Sequence, residues 1–204
     1  DSPDIASERA GEPYRRAIAA IYARLDTTAK DLNNTKPMRE AIDQAPPYRN
    51  VEEFSADLTT IHQSLVDSGA RLLANGRLHH LRRAVDVFNF HLAALDMRQN
   101  SDVHERVVTE LFLIARNGLN YQILTENERI TLLLDELRIP RPLTSPRVTY
   151  SDETASELEV LHVAADSHRH YGSKSLPNYI ISKTNGISDI LEVALLLREV
   201  GLLR

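Results

Sequence analysis

Asp96, Arg98 and Gln99 stand where an apolar run gives way to a helical pattern, in L-A-A-L-D-M-R-Q-N-S. An acid, a guanidinium and an amide at such a junction suit anion recognition. Arginine presents a planar fork of donors that matches phosphate or carboxylate oxygens. In (β/α) architectures the chemistry sits at the carboxyl ends of strands, on the loops that lead into helices. The run from Phe90 to Met97 reads as a strand, which puts Arg98 at its carboxyl end and makes Ser101 the cap of the next helix. A second β-prone run, N-Y-I-I-S-K, brings Ser182 and Lys183 to the same kind of edge. Spacing alone leaves two readings of Arg98 open: an anion ligand, or a structural partner of Asp96 or of a helix C-terminus.

The elements that would carry these residues are mostly helical. Glu12-Pro13 opens a helix with Tyr14, Ala17, Ile18, Ile21, Tyr22 and Leu25 at helical spacing. A polar stretch with Pro37, Pro46 and Pro47 ends it. Asn50 with Glu53 reads as a capping-box variant ahead of Phe54, Leu58, Ile61 and Leu65, and a short helix carries Leu78, Leu81 and Val85. After the first strand comes the stripe Val107, Val108, Leu111 and Ala115, closed at Asn117-Gly118. Thr125 and Glu128 form a capping box before Ile130, Leu133, Leu134 and Leu137. A Pro-rich link leads to a helix from about Ser151 to Tyr171, stopped by Gly172. Ser188 reads as the cap of a last helix, which ends at Gly201. That helix is apolar nearly all round, so it is expected to be buried on several sides or to self-associate over Ile190 to Val200.

Composition sets limits. A hydrophobic content of 42% and a charged content of 26% are ordinary for a soluble globular protein. A net charge of −5 with mixed signs argues against a basic nucleic-acid-binding face. The absence of cysteine excludes disulfides, thiolate metal sites and Cys nucleophiles. The opening D-S-P-D-I-A-S-E-R-A lacks the pattern of a secretory leader, and no apolar run approaches the ~20 residues that cross a bilayer. The expectation is a soluble, cytoplasmic protein with no nucleic-acid or membrane partner.

The remaining polar clusters point to packing rather than chemistry. His79-His80 and His168-x-His170 invite a metal reading, but neighbours at i+1 and i+2 on a helix face different ways. His104, one turn into the helix after Arg98, is expected to be a solvated helix position, with an approach to the anion as the other reading. The acidic residues Asp152, Glu153, Glu157 and Glu159 suit a solvated helix start.

Several segments resemble one family in the same order. L-A-A-L-D-M-R-Q-N-S is similar to the L-D-I-R-Q-E-S segment of phosphoenolpyruvate carboxylases. E-P-Y-R at 12–15, L-A-N-G-R-L-H-H-L-R-R at 73–83, R-P-L at 141–143, I-I-S-K-T-N-G-I-S-D at 180–189 and L-L-L-R-E-V-G at 195–201 resemble further segments of it, so the likeness runs through the whole chain. The departures are Met97 for isoleucine, Asn100 for glutamate, and Lys183 to Ile187 in place of M-A-K-T-P.

The resemblance implies an enzyme that turns phosphoenolpyruvate and bicarbonate into oxaloacetate and phosphate with Mg²⁺ or Mn²⁺. It implies that Arg98 contacts the substrate phosphate; from their places at the strand ends, Gln99 and Ser182 are further candidates and Asp96 is expected to orient the guanidinium. The family's T-A-H-P-T-E, P-L-F-E, G-Y-S-D-S and G-R-G-G-S motifs are absent from the 204 residues. The chain is therefore expected to be an internal segment, inactive alone, with metal ligands elsewhere and the rest of the enzyme chain as its partner in a homotetramer. The expected fold is mainly α with two short parallel strands, a partial α/β (TIM-like) barrel wrapped by extra helices. Residues 1–86 are expected to be helical, and 87–204 to form two β–α units with a helical excursion over about 117–172. The rival expectation is a helical scaffold or regulatory module that keeps the architecture without the chemistry.

Overall fold

The computed structural model describes residues 11–33, 41 and 44–203, so the opening ten residues and Pro37 lie outside the described residues. The chain divides into two compact units, one up to Ala93 and one from Ala94.

The first unit is helical: α1 (Pro13–Asn33), α2 (Val51–Asp67), α3 (Arg71–Ala74) and α4 (Arg77–Phe88). Pro13 opens α1, where a missing N–H costs no helical hydrogen bond. Asn50 caps α2 by accepting from the Glu53 amide at 2.9 Å. The Glu53 carboxylate does not complete the box. It pairs instead with Arg24 of α1 at 2.6 Å, and the same guanidinium meets Asp57 at 3.2 Å. Arg24 also lies 3.8 Å from the centroid of the Tyr48 ring, so cation–π contact and two carboxylates hold α1 to α2. Beneath this clamp Tyr48, Phe54, Leu58 and Val85 form the core, with Ile21 and Leu25 of α1 against it.

The second unit contains β1 (Met97–Asn100), α5 (Ser101–Ala115), α6 (Glu126–Arg138), α7 (Asp152–Tyr171), β2 (Tyr179–Ser182) and α8 (Ile187–Glu199). The strands pair in parallel, with Met97 opposite Tyr179 and Asn100 opposite Ser182. The fold is thus mainly helical with two short parallel strands, as the sequence predicts.

The first strand begins later than its apolar run. Phe90 to Asp96 form turns and extended loop, Leu92 adopts φ 65°, and Leu92 and Leu95 stay exposed. Burial, not hydrophobicity, decides: Met97 is the first of this run to pack against the unit's core. On the partner side Pro177 has no N–H to donate, so regular pairing starts after it.

Both serines expected as caps lie inside their helices. Asn100 occupies the N-cap of α5 and Gly186 that of α8. Ser101 donates its hydroxyl to the Lys183 carbonyl at 2.9 Å, and Ser188 is held by Glu126. The expected capping box at Thr125 is present, with the Glu128 carboxylate accepting from the Thr125 amide at 2.8 Å.

The core of this unit lies where α5, α6 and α8 meet. Val107, Val108, Leu111, Phe112, Tyr121, Leu133, Leu195 and Leu196 are sealed from solvent there. α8 therefore buries most of its apolar surface within its own unit, and only Ile187 and Ile190 remain broadly exposed. This removes most of the sticky surface expected over Ile190 to Val200.

α6 and α8 run side by side in the same direction and cap each other. At their amino ends Glu126 of α6 accepts from the Ser188 amide at 3.0 Å and the Ser188 hydroxyl at 2.6 Å. At their carboxyl ends Arg198 of α8 donates to the Ile139 carbonyl at 2.9 Å and also to the Glu136 carbonyl. Each contact places charge where the helix dipole favours it, anion at an amino end and cation at a carboxyl end. No helix among the described residues is long and apolar enough to cross a membrane.

Candidate functional site

Strand alternation sorts the candidate residues onto two faces. Met97 and Tyr179 pack into the core, and Gln99 on the same face donates to Glu157 of α7 at 2.7 Å. Arg98, Asn100, Ile180 and Ser182 take the opposite face. Arg98 is exposed, and Ile180, directly across from it, is 44% exposed.

Arg98 leans along the sheet toward its carboxyl edge. Its Nε donates to the Ser182 hydroxyl at 2.9 Å, a diagonal contact, since the residue directly opposite is Ile180. Both terminal amino groups are left without a protein partner among the described residues. Lys183 follows Ser182 with φ 60°, and its carbonyl is fixed by Ser101. Its ammonium is likewise unpaired among the described residues. Arg98 and a serine hydroxyl thus meet at this strand edge, Lys183 follows that serine in the chain, and among the described residues no carboxylate is paired to either cation. Such an edge can receive a planar or tetrahedral oxyanion through charge-assisted hydrogen bonds, each worth roughly 1.5–3 kcal/mol net.

The loop leaving β2 is fixed residue by residue. Thr184 donates its hydroxyl to the Ile181 carbonyl at 3.2 Å. Asp189 accepts from the amides of Asn185 at 2.6 Å and Gly186 at 3.0 Å.

Other candidates fall elsewhere. Asp96 does not touch Arg98: its carboxylate accepts from the Asn178 side chain at 3.0 Å, at the amino ends of the strands. The contact that directs the guanidinium comes from Ser182. Gln99 belongs to the core side. His104 is not solvated. It is 1% exposed and its Nε2 lies 2.8 Å from the Tyr179 hydroxyl, while burial pushes its pKa down to about 4. Its place in the stripe with Val107, Val108 and Leu111 is the sequence signal for that burial.

Comparison with known proteins follows the same residues. The family profile described as phosphoenolpyruvate carboxylase matches residues 2–204. The chain belongs to the phosphoenolpyruvate carboxylase family. It is 55% identical over 203 residues to the phosphoenolpyruvate carboxylase of Aromatoleum aromaticum, covering 100% of this chain and 22% of that relative. To those of an Azoarcus species and of Bradyrhizobium diazoefficiens it is 54% and 53% identical, covering 100% and 98% of this chain and 22% of each relative. The chain thus spans about a fifth of the length of the curated relatives it matches. A phosphoenolpyruvate carboxylase is expected to use a divalent metal. Among the described residues no three His, Asp or Glu side chains come together to hold one.

Proposed function

We propose that this chain is a segment of a carboxylase that joins bicarbonate to phosphoenolpyruvate, giving oxaloacetate and phosphate, and that Arg98 binds the substrate phosphate. The observation that carries this reading is the guanidinium at the parallel-strand edge. It is oriented by Ser182 through Nε and leaves both amino groups open. Transfer of the phosphoryl group to bicarbonate spreads negative charge over oxygens, and a cation already held in place stabilises that charge without reorganising. Lys183 adds a second positive charge beside the same edge.

In this reading β1–α5 and β2–α8 are two β–α units of an α/β barrel, with α6 and α7 as an excursion between them. Arg98 and Ile180 then face the barrel interior. The family resemblance implies Mg²⁺ or Mn²⁺, which would be held by residues outside this segment and would supply Lewis-acid polarisation of the bound anions. The tetramer and the cytoplasmic setting follow from the same resemblance. The test is kinetic: in a full-length enzyme carrying this segment, Arg98→Ala lowers kcat/KM for phosphoenolpyruvate at least about tenfold. An unchanged value removes Arg98 from the site.

A further inference from the structure

Gly186 is the N-cap of α8 and has no side chain with which to cap it. Its backbone, at φ −143° and ψ 176°, is extended and open to any residue. Space, not conformation, is what a side chain would contest: a Cβ there would meet Glu126 Oε1 at 2.6 Å and the carboxyl carbon at 3.0 Å, so the carboxylate would have to shift. The Glu126 carboxylate thus occupies the place of the missing cap. It receives the Ser188 amide at 3.0 Å and the Ser188 hydroxyl at 2.6 Å, bonds that hold its carboxyl below the usual glutamate range.

This contact controls more than one helix end. Residues 183–187 join Ser182, which receives Arg98, to the first turn of α8. Ser101 fixes the start of that loop at Lys183, and Asp189 fixes Asn185 and Gly186 from inside the helix. Asp189 lies in the first turn of α8, and Glu126, outside the loop, holds that turn through Ser188. The acceptor comes from α6, 62 residues away in the chain.

We propose that Glu126 is a positioning residue for the anion edge: it caps α8 from a neighbouring helix and thereby sets the loop that carries Ser182 and Lys183. The inference rests on the phosphate-site reading of Arg98. It makes Glu126 and Gly186 a matched pair. Either residue changed alone breaks the cap, while changing both together can restore it, because a threonine introduced at position 186 caps its own helix once the carboxylate is gone.

The test uses a full-length enzyme carrying this segment, with kcat and KM for phosphoenolpyruvate measured for Glu126→Ala, Gly186→Thr, the double variant and Arg98→Ala. Loss of a cap is expected to raise KM about fivefold in each of the first two, with kcat within about twofold. The double variant is expected to return to within about twofold of the parent KM, a non-additivity that only direct coupling produces. Glu126→Gln, which keeps an acceptor and the side-chain shape, is expected to fold as the parent does and to raise KM by about twofold. Hydrogen exchange at the Ser188 amide should speed up in Glu126→Ala and slow again in the double variant. A parent-like KM in Glu126→Ala beside a raised KM in Arg98→Ala overturns this inference and leaves the site reading intact. A double variant as impaired as the two single changes combined also overturns it. A parent-like KM in Arg98→Ala overturns the site reading and this inference with it.

Discussion

The Tyr121 hydroxyl donates to Oε1 of Glu192 at 2.8 Å, in a place where both side chains are 0% exposed. Oε2 of the same carboxyl has no hydrogen-bond partner. Burial pushes Glu192 up to about 8, and the charges of Asp189 and Glu105 push the same way against Arg129. At neutral pH the carboxyl is therefore protonated, and the core tolerates it as a neutral acid.

A prediction about stability follows from pairing Glu192 with His104, since Asp189 acts electrostatically on both. Glu192 is raised from 4.5 to about 8, so its protonated form is favoured by folding and its contribution is lost as pH rises toward 8. His104 is lowered from 6.5 to about 4, so its contribution is present above 6.5 and lost as pH falls. Between 4.5 and 6.5 the two slopes cancel, and above 6.5 the loss from Glu192 remains. Urea unfolding of the chain should show a flat region at mildly acid pH and a decline of about 2 kcal/mol toward pH 8, what one proton over that interval allows. In Glu192→Gln the decline should vanish and stability should instead rise from pH 4 to 6.5. A parent and variant with parallel pH profiles would rule this out.

Ser182 gives a prediction about geometry rather than charge. Its hydroxyl accepts from the Arg98 Nε and so leaves both terminal amino groups open, which the proposed site would offer to an anion. Ser182→Ala keeps the charge but frees the fork to rotate, and the expected loss in kcat/KM is about three- to tenfold, smaller than for Arg98→Ala. Arg98→Lys keeps a positive charge but cannot hold Ser182 and the anion with one planar group, so it should recover little of the activity. Full activity in Arg98→Lys would mean that charge alone suffices at this edge.

The sequence made some of this legible and hid the rest for a physical reason. The Thr125–Glu128 box, the Gly172 stop with φ 87° and the apolar stripe of α5 are local, and local pattern found them. The apolar run put Arg98 at the carboxyl end of a Phe90–Met97 strand, whereas it lies inside β1, Met97–Asn100, because the run shows hydrophobicity and not pairing. The errors concern which partner a polar side chain chooses. Asp96 takes Asn178, 82 residues on, instead of its neighbour Arg98. Ser188 carries a cap signature, yet it is tied to Glu126, 62 residues back. Serine is equally at home as a cap or one residue inside the helix. Only the packing of α6 against α8 decides between them.

Glu136 offers a last prediction, about the asymmetry of a buried pair. Its carboxylate is 0% exposed and takes two donors from Arg116, one of them Nε at 3.1 Å, with Arg141 at 3.8 Å from the other oxygen. The Arg116 side chain is 34% exposed and can turn toward water if its partner loses charge. The carboxylate has no such escape. Arg116→Ala should therefore destabilise the chain by about 3 kcal/mol, the range for a buried charge left short of its partner. Glu136→Gln, which leaves the guanidinium free to reach solvent, should cost only about 1 kcal/mol. Urea midpoints for the two variants check this, and a larger loss in Glu136→Gln would show that the guanidinium, not the carboxylate, is the group that depends on the pair.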